Sequence, residues 1–368
     1  MQPRQKTSRE IDMLKTSAPG KLFLFGEYGV IRGGWCVVAA VDRRVVASRS
    51  EAASGYELEG ADFDNPLALP EAVVGEAVPA EFAARAPKDV GVANLAADVR
   101  AVYDVETGQK LGLGSSAASA VALSAAFLLE DGEGAPAKIA FKEREAIFDH
   151  AFRAHRTLQK GRGSCADIAA STFGHVIGYR LLRPSSGLAD LSGEKGRSAA
   201  RFEATSRNAE AEVLSGLKIP EGLRVEPIWL GSPATSTSFV RACEVAYRRD
   251  PVAMIEVLAE TSRIAEKAIL ALQVGDLPSV LACVERGDRA YDRLGALTGA
   301  PIITDAHRML RKLAGAHGIF VKPSGAGGGD FSLAFAPVSA DWAAFFRSLP
   351  ASLRHLPLAL GVPGVERH

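Results

Sequence analysis

The chain has 368 residues with 43 basic and 43 acidic side chains, so its formal net charge is zero. That length accommodates about two domains with large buried cores, and 47% hydrophobic against 23% charged residues excludes a disordered chain. Charge balance argues against nucleic acid as a partner, and the 4 cysteines, widely spaced with no Cys-x-x-Cys, indicate neither a zinc site nor a disulfide framework.

Met1 to Ser17 is polar and mixed in charge, without the apolar core of a signal peptide. Leu14 to Phe25 reads as a strand broken by Pro19 and Gly20, and Trp35 to Val46 as a second with β-branched content. Residues 51–90 carry a weak pattern with several prolines and read as loops and short elements. Val99 to Val105 reads as a strand ending in a turn at Glu106-Thr107-Gly108. A glycine-rich segment then leads into the longest apolar run, Ala117 to Leu129. At about 13 residues it reads as a buried helix rather than a membrane span, which points to a cytoplasmic protein with no membrane partner. After a linker at 131–136, a long helix is expected over Lys138 to Gln159. A second glycine-rich turn, Gly161-Arg-Gly-Ser, precedes a short helix at Ala166 to Phe173 and a strand at His175 to Leu182.

Arg183 to Leu217 is polar and shows no strong period, so the domain boundary is placed there, dividing the chain into residues 1–185 and 186–368. The second part reads as mainly helical, at Thr237 to Arg248, Val252 to Val274, Leu277 to Leu297 and Asp305 to Ala316. Strands are expected at Leu223 to Leu230, Gly318 to Lys322, Phe331 to Ala336 and His355 to Leu360. Runs of strands and runs of helices, without strict alternation, give the α+β class.

The 36 glycines are about 10% of the chain against a typical ~7%. They concentrate in three segments: Ala18-Pro-Gly-Lys-Leu-Phe-Leu-Phe-Gly-Glu-Tyr-Gly29, Lys110-Leu-Gly-Leu-Gly-Ser-Ser-Ala-Ala118 and Lys322-Pro-Ser-Gly-Ala-Gly-Gly-Gly-Asp330. Glycines admit close approach of a ligand to the backbone. In the middle segment the following helix aims its free N–H groups and dipole at the loop, which favours phosphate. Ser115 and Ser116 add hydroxyls for phosphate oxygens or a magnesium ion, and Lys110 adds positive charge. The Walker pattern is absent. Gly112, Gly114 and Ala117 formally meet the dinucleotide pattern, with Glu130 at the ribose distance, but no parallel βαβ series follows. On these residues alone, a tight turn that holds no ligand stays open as an alternative.

In this order and spacing the three segments resemble the three signature motifs of the GHMP kinase superfamily. Those motifs are Pro-Gly-Lys leading into Gly-Glu-Tyr/His, then Gly-Leu-Gly-Ser-Ser-Ala, then Lys-x-Ser/Thr-Gly-Ala-Gly-Gly-Gly-Asp. The resemblance spans most of the chain. It implies a ribosomal-S5-like N-terminal domain, a ferredoxin-like C-terminal domain and an active site in the cleft between them. ATP would be bound by Lys110, Gly112, Leu113, Gly114, Ser115, Ser116 and Ala117, with Mg2+ on Ser115 and Ser116. Gly163-Ser-Cys-Ala-Asp-Ile-Ala-Ala-Ser-Thr-Phe-Gly174 resembles the segment that supplies the catalytic aspartate in mevalonate-pathway kinases. This makes Asp167 the catalytic candidate, and Lys21 the group that neutralises the transferring phosphoryl and holds Asp167 ionised.

Trp229 to Thr237, Ala154 to Gln159 and Val105 to Gly114 resemble the phosphomevalonate kinase branch. The implied substrates are ATP and mevalonate 5-phosphate, with Lys21, Ser164, Ser232, Thr235, Ser236 and Gly327 around the acceptor. Mevalonate kinase, diphosphomevalonate decarboxylase and a ligand-sensing regulator without catalysis are the competing readings. Arg156 stands where mevalonate kinases place a magnesium-binding glutamate, so the acidic metal ligand is unassigned. The turn before Asp167 has Gly-Ser-Cys-Ala where relatives often have Gly-Ser-Gly-x. Plainer roles stand beside these: Asp167 as a helix cap, Lys21 as a rim lysine, Ser232 to Thr237 as an N-cap cluster. Glu27 reads as a charge partner within the first motif rather than a metal ligand. Cys165 reads as a small packed residue rather than a thiol nucleophile beside His155. The assembly is expected to be a monomer or a homodimer.

Overall fold

The computed structural model describes residues 14–49, 68–79, 95–130, 138–161, 163–183, 202–231 and 236–368. Strands β1 (Leu14–Phe25) and β2 (Trp35–Arg49) come first, followed by α1 (Ala68–Gly75), β3 (Leu95–Asp98), α2 (Ser115–Leu128), α3 (Phe141–Leu158), α4 (Ala166–Phe173), β4 (Val176–Leu181), β5 (Ser206–Arg207) and β6 (Ala211–Leu217). The chain continues through β7 (Leu223–Trp229), α5 (Ser236–Arg249), α6 (Pro251–Val274), α7 (Leu277–Thr298) and α8 (Asp305–Gly315). It ends with β8 (Phe320–Ser324), β9 (Phe331–Pro337), α9 (Trp342–Ser348), β10 (Arg354–His355) and β11 (Glu366–Arg367). A 7-stranded sheet runs β11-β1-β2-β4-β6-β5, with β3 also on β2, and a 4-stranded sheet runs β10-β7-β9-β8. This is the expected α+β class.

Three sequence expectations are corrected by the pairing. The 99–105 segment is not a strand: β3 ends at Asp98, whose carboxylate accepts the Arg100 N–H at 3.0 Å and turns the chain into a short 3-10 turn at Arg100–Val102. Of the strand expected at 355–360, only His355 pairs in register with β7, Arg354 pairing before it, and Leu356 N–H donates to the Pro227 carbonyl at 3.1 Å; Leu360 instead bridges to Val41 in the first sheet. The change of sheet does not fall at residue 185, because β5 and β6 extend the first sheet through Leu217. β5 is a two-residue edge strand, and charge hides the pattern of β6: its buried Glu212 is flanked by Arg180 and Arg207. The expected loops at 51–67 and 80–90 and the linker at 131–136 lie outside the described residues.

The core of the larger layer is α2. Its alanines and serines are small enough to let β1 and β2 close on one side and other helices on the other; Ser116 alone of its residues is not buried. Among the described residues no helix is long and apolar enough to cross a membrane. Helices α6 and α7 start and stop on local chemistry. Asp250 and Asp276 accept the N–H of Ala253 and Ser279, a proline stands in each first turn, and Gly275 and Gly299 close the C-termini in the left-handed conformation.

The C-terminal segment is strapped onto the first sheet. β11 pairs with β1, and Arg44 donates to the carbonyls of Ser17, Pro363 and Gly364 at 2.7–3.0 Å. A Cβ on Gly364 would stand 2.1 Å from the Thr172 carbonyl oxygen, so the strap lies directly on the end of α4.

His150 on α3 is fully buried, with Nδ1 3.0 Å from Ser124 Oγ and the ring against Phe127. Burial, assisted by Arg153, lowers its pKa from 6.5 to about 4. The unfolded chain therefore takes up the proton first, and the stability held above pH 6.5 is lost as pH falls towards 4. At pH 4.5 the cost from this ring is on the order of 2 kcal/mol. Urea midpoints at pH 7 and pH 4.5 should converge for His150→Leu relative to the parent. An unchanged pH slope would assign the acid sensitivity to other groups.

Candidate active site

The loop before α2 is built by two glycines in the left-handed region, Gly112 (φ 70°) and Gly114 (φ 77°). Gly114 is the N-cap of α2, with no side-chain cap and no acidic residue in the first turn. The first N–H groups and the positive end of the helix dipole are thus left for an anion. Close approach also demands glycine here. A Cβ on Gly112 would meet the Asp330 carboxyl at 2.5 Å, and one on Gly114 would lie 3.2 Å from Lys21 Cε and 3.5 Å from Asp167 Cβ. Lys21 is fastened along the loop: its N–H donates to the Leu113 carbonyl at 2.8 Å and its ammonium reaches the Gly112 carbonyl at 3.4 Å.

Asp167 stands in the first turn of α4, where the helix dipole favours a carboxylate. The preceding turn is held by Ser164, whose Oγ accepts the Ala166 N–H at 3.3 Å and whose carbonyl accepts the Tyr179 hydroxyl at 2.6 Å. Cys165 takes a left-handed backbone conformation, φ 56°. Burial, and then the Asp167 charge, push its thiol far up, so it is a packed residue and not a nucleophile.

The third glycine segment is a turn between β8 and β9, tied to β1 and its continuation. Lys322 is buried and ion-paired with Glu27, with its ammonium also over the Phe25 and Tyr291 rings. The Tyr28 and Tyr291 hydroxyls donate to the Ala326 and Gly325 carbonyls, and Ser324 Oγ donates to the Phe23 carbonyl. The Glu27 carboxylate is therefore a charge partner across two motifs, the plainer of the two roles expected for it.

These elements enclose a cleft of about 330 Å³, within the range of small-molecule sites. Of the sequence candidates, Lys21, Lys110, Gly112, Gly114, Ser115, Ser116, Ser164 and Asp167 line it. Leu113 and Ala117 are core residues, 1% and 0% exposed, leaving only their backbone to the loop. Gly327 does not line the cleft; it presses on Ile302, whose carbonyl oxygen a Cβ there would meet at 2.5 Å, while Gly325 and Ala326 face the site. Ser232 and Thr235 lie outside the described residues, and Ser236 opens α5 with its side chain likewise undescribed. The cleft also holds Asp330, His155 and Gln159, which carried no assigned role. Asp330 was signalled by its place at the end of the third segment. His155 and Gln159 were signalled by their i, i+4 spacing at the end of a helix.

No protein-family model matches the chain. The phosphomevalonate kinase of Streptomyces sp. (strain CL190) is 31% identical over 351 residues, covering 86% of this chain and 88% of that protein. The chain belongs to the phosphomevalonate kinase family. Its fold agrees with that membership. A Lin0012 protein from Listeria innocua superposes with TM-score 0.74 at 22% identity, over 97% of this chain and 99% of that one. Streptococcus pneumoniae phosphomevalonate kinase in complex with phosphomevalonate and AMPPNP superposes with TM-score 0.70 at 18% identity, over 95% and 99%. The chain is a GHMP-type kinase and an ATP-dependent phosphotransferase.

Proposed function

We propose that this chain transfers the γ-phosphoryl group of ATP to mevalonate 5-phosphate, giving ADP and mevalonate 5-diphosphate. The observation that carries the kinase chemistry is the meeting of Lys21 and Asp167 at Gly114, on the free N-terminus of α2. The choice of acceptor is supported by near full-length identity to a phosphomevalonate kinase. The match to the mevalonate kinase of Aeropyrum pernix covers only 45% of the chain.

The nucleotide phosphates take the α2 N–H groups and the Ser115 and Ser116 hydroxyls, with Lys110 adding charge. An acceptor phosphate oxygen attacks the γ-phosphorus in line as the bond to the ADP oxygen breaks. The transition state is loose, so positioning and charge neutralisation matter most. Lys21 neutralises the moving phosphoryl. A phosphomonoester is largely dianionic at neutral pH, its second pKa being ~6, so Asp167 acts chiefly to orient the acceptor rather than to remove a proton.

Ser115 Oγ is buried and has no partner among the described residues, a hydroxyl that suits a magnesium–nucleotide. Among the described residues no group of three or more His, Cys, Asp or Glu side chains converges as a metal cage, and an ion held mainly by phosphates and water needs none. Ser115 and Ser116 would hold Mg2+, which would supply positive charge to the nucleotide phosphates when bound. Both substrates are charged, water-soluble molecules, and the reaction is placed in the cytoplasm.

Purified protein given ATP, a magnesium salt and each of mevalonate, its 5-phosphate and its 5-diphosphate is expected to release ADP only with the 5-phosphate. ADP from mevalonate alone would make it a mevalonate kinase. Carbon dioxide from the 5-diphosphate would make it the decarboxylase.

A further inference from the structure

His155 and Gln159 stand one turn apart near the C-terminal end of α3, so their side chains share a face, and both line the cleft. His155 is 1% exposed. Its Nε2 lies 3.1 Å from the Gln159 amide nitrogen. An amide nitrogen only donates, so Nε2 accepts, and the proton of the neutral ring sits on Nδ1. That Nδ1–H has no partner among the described residues. Burial first, and then the Lys110 charge, hold the ring's pKa below its usual 6.5 against the opposing pull of Asp167, so the ring is neutral at pH 7.

A buried donor left unmade is a standing cost to the fold, and this one stands beside a cleft built for anions. The α2 N-terminus accounts for one set of phosphates. His155 stands within reach of the Asp167 charge, and its partner Gln159 packs with Oε1 on Gly163, which opens the Ser164–Asp167 turn, at 2.5 Å from where a Cβ would be. We propose that His155 is a specificity-determining residue that donates Nδ1–H to the phosphate already carried by the acceptor, the group that separates this substrate from a free alcohol. The proposal rests on the phosphomevalonate kinase reading and deepens it. Gln159 fixes which ring nitrogen is the donor.

Steady-state kinetics of three variants test this. His155→Leu removes the donor and is expected to raise KM for mevalonate 5-phosphate roughly tenfold or more, with KM for ATP within about twofold and the melting temperature held. His155→Asn places an amide N–H where Nδ1 stood and should recover most of the lost affinity. His155→Gln mimics Nε2 instead and should not. An active parent with an unchanged acceptor KM in His155→Leu overturns the proposal and leaves the kinase reading intact. So does a rise confined to the ATP KM, or rescue by Gln rather than Asn. A parent chain that does not turn over the 5-phosphate overturns both.

Discussion

Lys21→Met is expected to lower kcat by roughly 100- to 1,000-fold, the loss seen when one preorganised electrostatic donor to a developing charge is removed. The Lys21 side chain packs against Gly114 between the phosphate loop and Asp167, and among the described residues no other lysine or arginine except Lys110 lines the cleft. Asp167→Asn keeps the shape of the side chain and removes its charge. It should also cost orders of magnitude in turnover, but less than Lys21→Met, because a dianionic acceptor does not need a strong base. Calorimetric titration with ATP should show that both variants still bind nucleotide, since the α2 N–H groups and the serine hydroxyls are untouched. Near-normal turnover in Asp167→Asn would remove that residue from the mechanism. A loss of nucleotide binding equal to the loss of turnover would recast Lys21 as a ground-state ligand.

Lys322→Met is expected to destabilise the protein by about 3–5 kcal/mol, the cost of stranding a buried charge. The Lys322 side chain is 1% exposed and that of its partner Glu27 is 6% exposed, so water cannot replace the lost ammonium. The remaining anion would lie beside Tyr291, shielded from bulk water. Thermal or urea unfolding should show the drop directly. Pairing Lys322→Met with Glu27→Gln removes the stranded charge as well and should recover much of it. A double variant no better than the single would mean that Lys322 stabilises through its packing on Phe25 and Tyr291 rather than through charge.

Elements whose boundaries are set by local chemistry were legible in the sequence. Helix α4 runs over the residues expected, and α6 and α7 begin within a residue of their Asp-Pro or Asp-Leu-Pro starts because cap, proline and terminal glycine act within a few residues. The coming together of Lys21, the phosphate loop and Asp167 was legible only through the resemblance, since nothing local predicts that Gly114 seats both side chains. Strands β5 and β6 were missed because β5 is only two residues long and β6 carries a buried charge, Glu212 between two arginines. The orphaned His155 nitrogen depends on what does not approach it, which no spacing encodes. The Asp330–Gly112 contact joins segments far apart in the chain, and only the closed cleft brings them together.

The pairing of Thr16 with Arg367 and of Ser17 with Glu366 also bears on how the protein is made. The outer edge of the first strand is covered by residues synthesised about 350 positions after it, Arg367 against Thr16. At about 5–20 residues per second, that edge waits tens of seconds on the ribosome with its N–H and C=O groups unpaired, open to other nascent chains. Contacts this distant in sequence are slow to form. Yield on expression should therefore depend on chaperones more than the well-packed native core suggests.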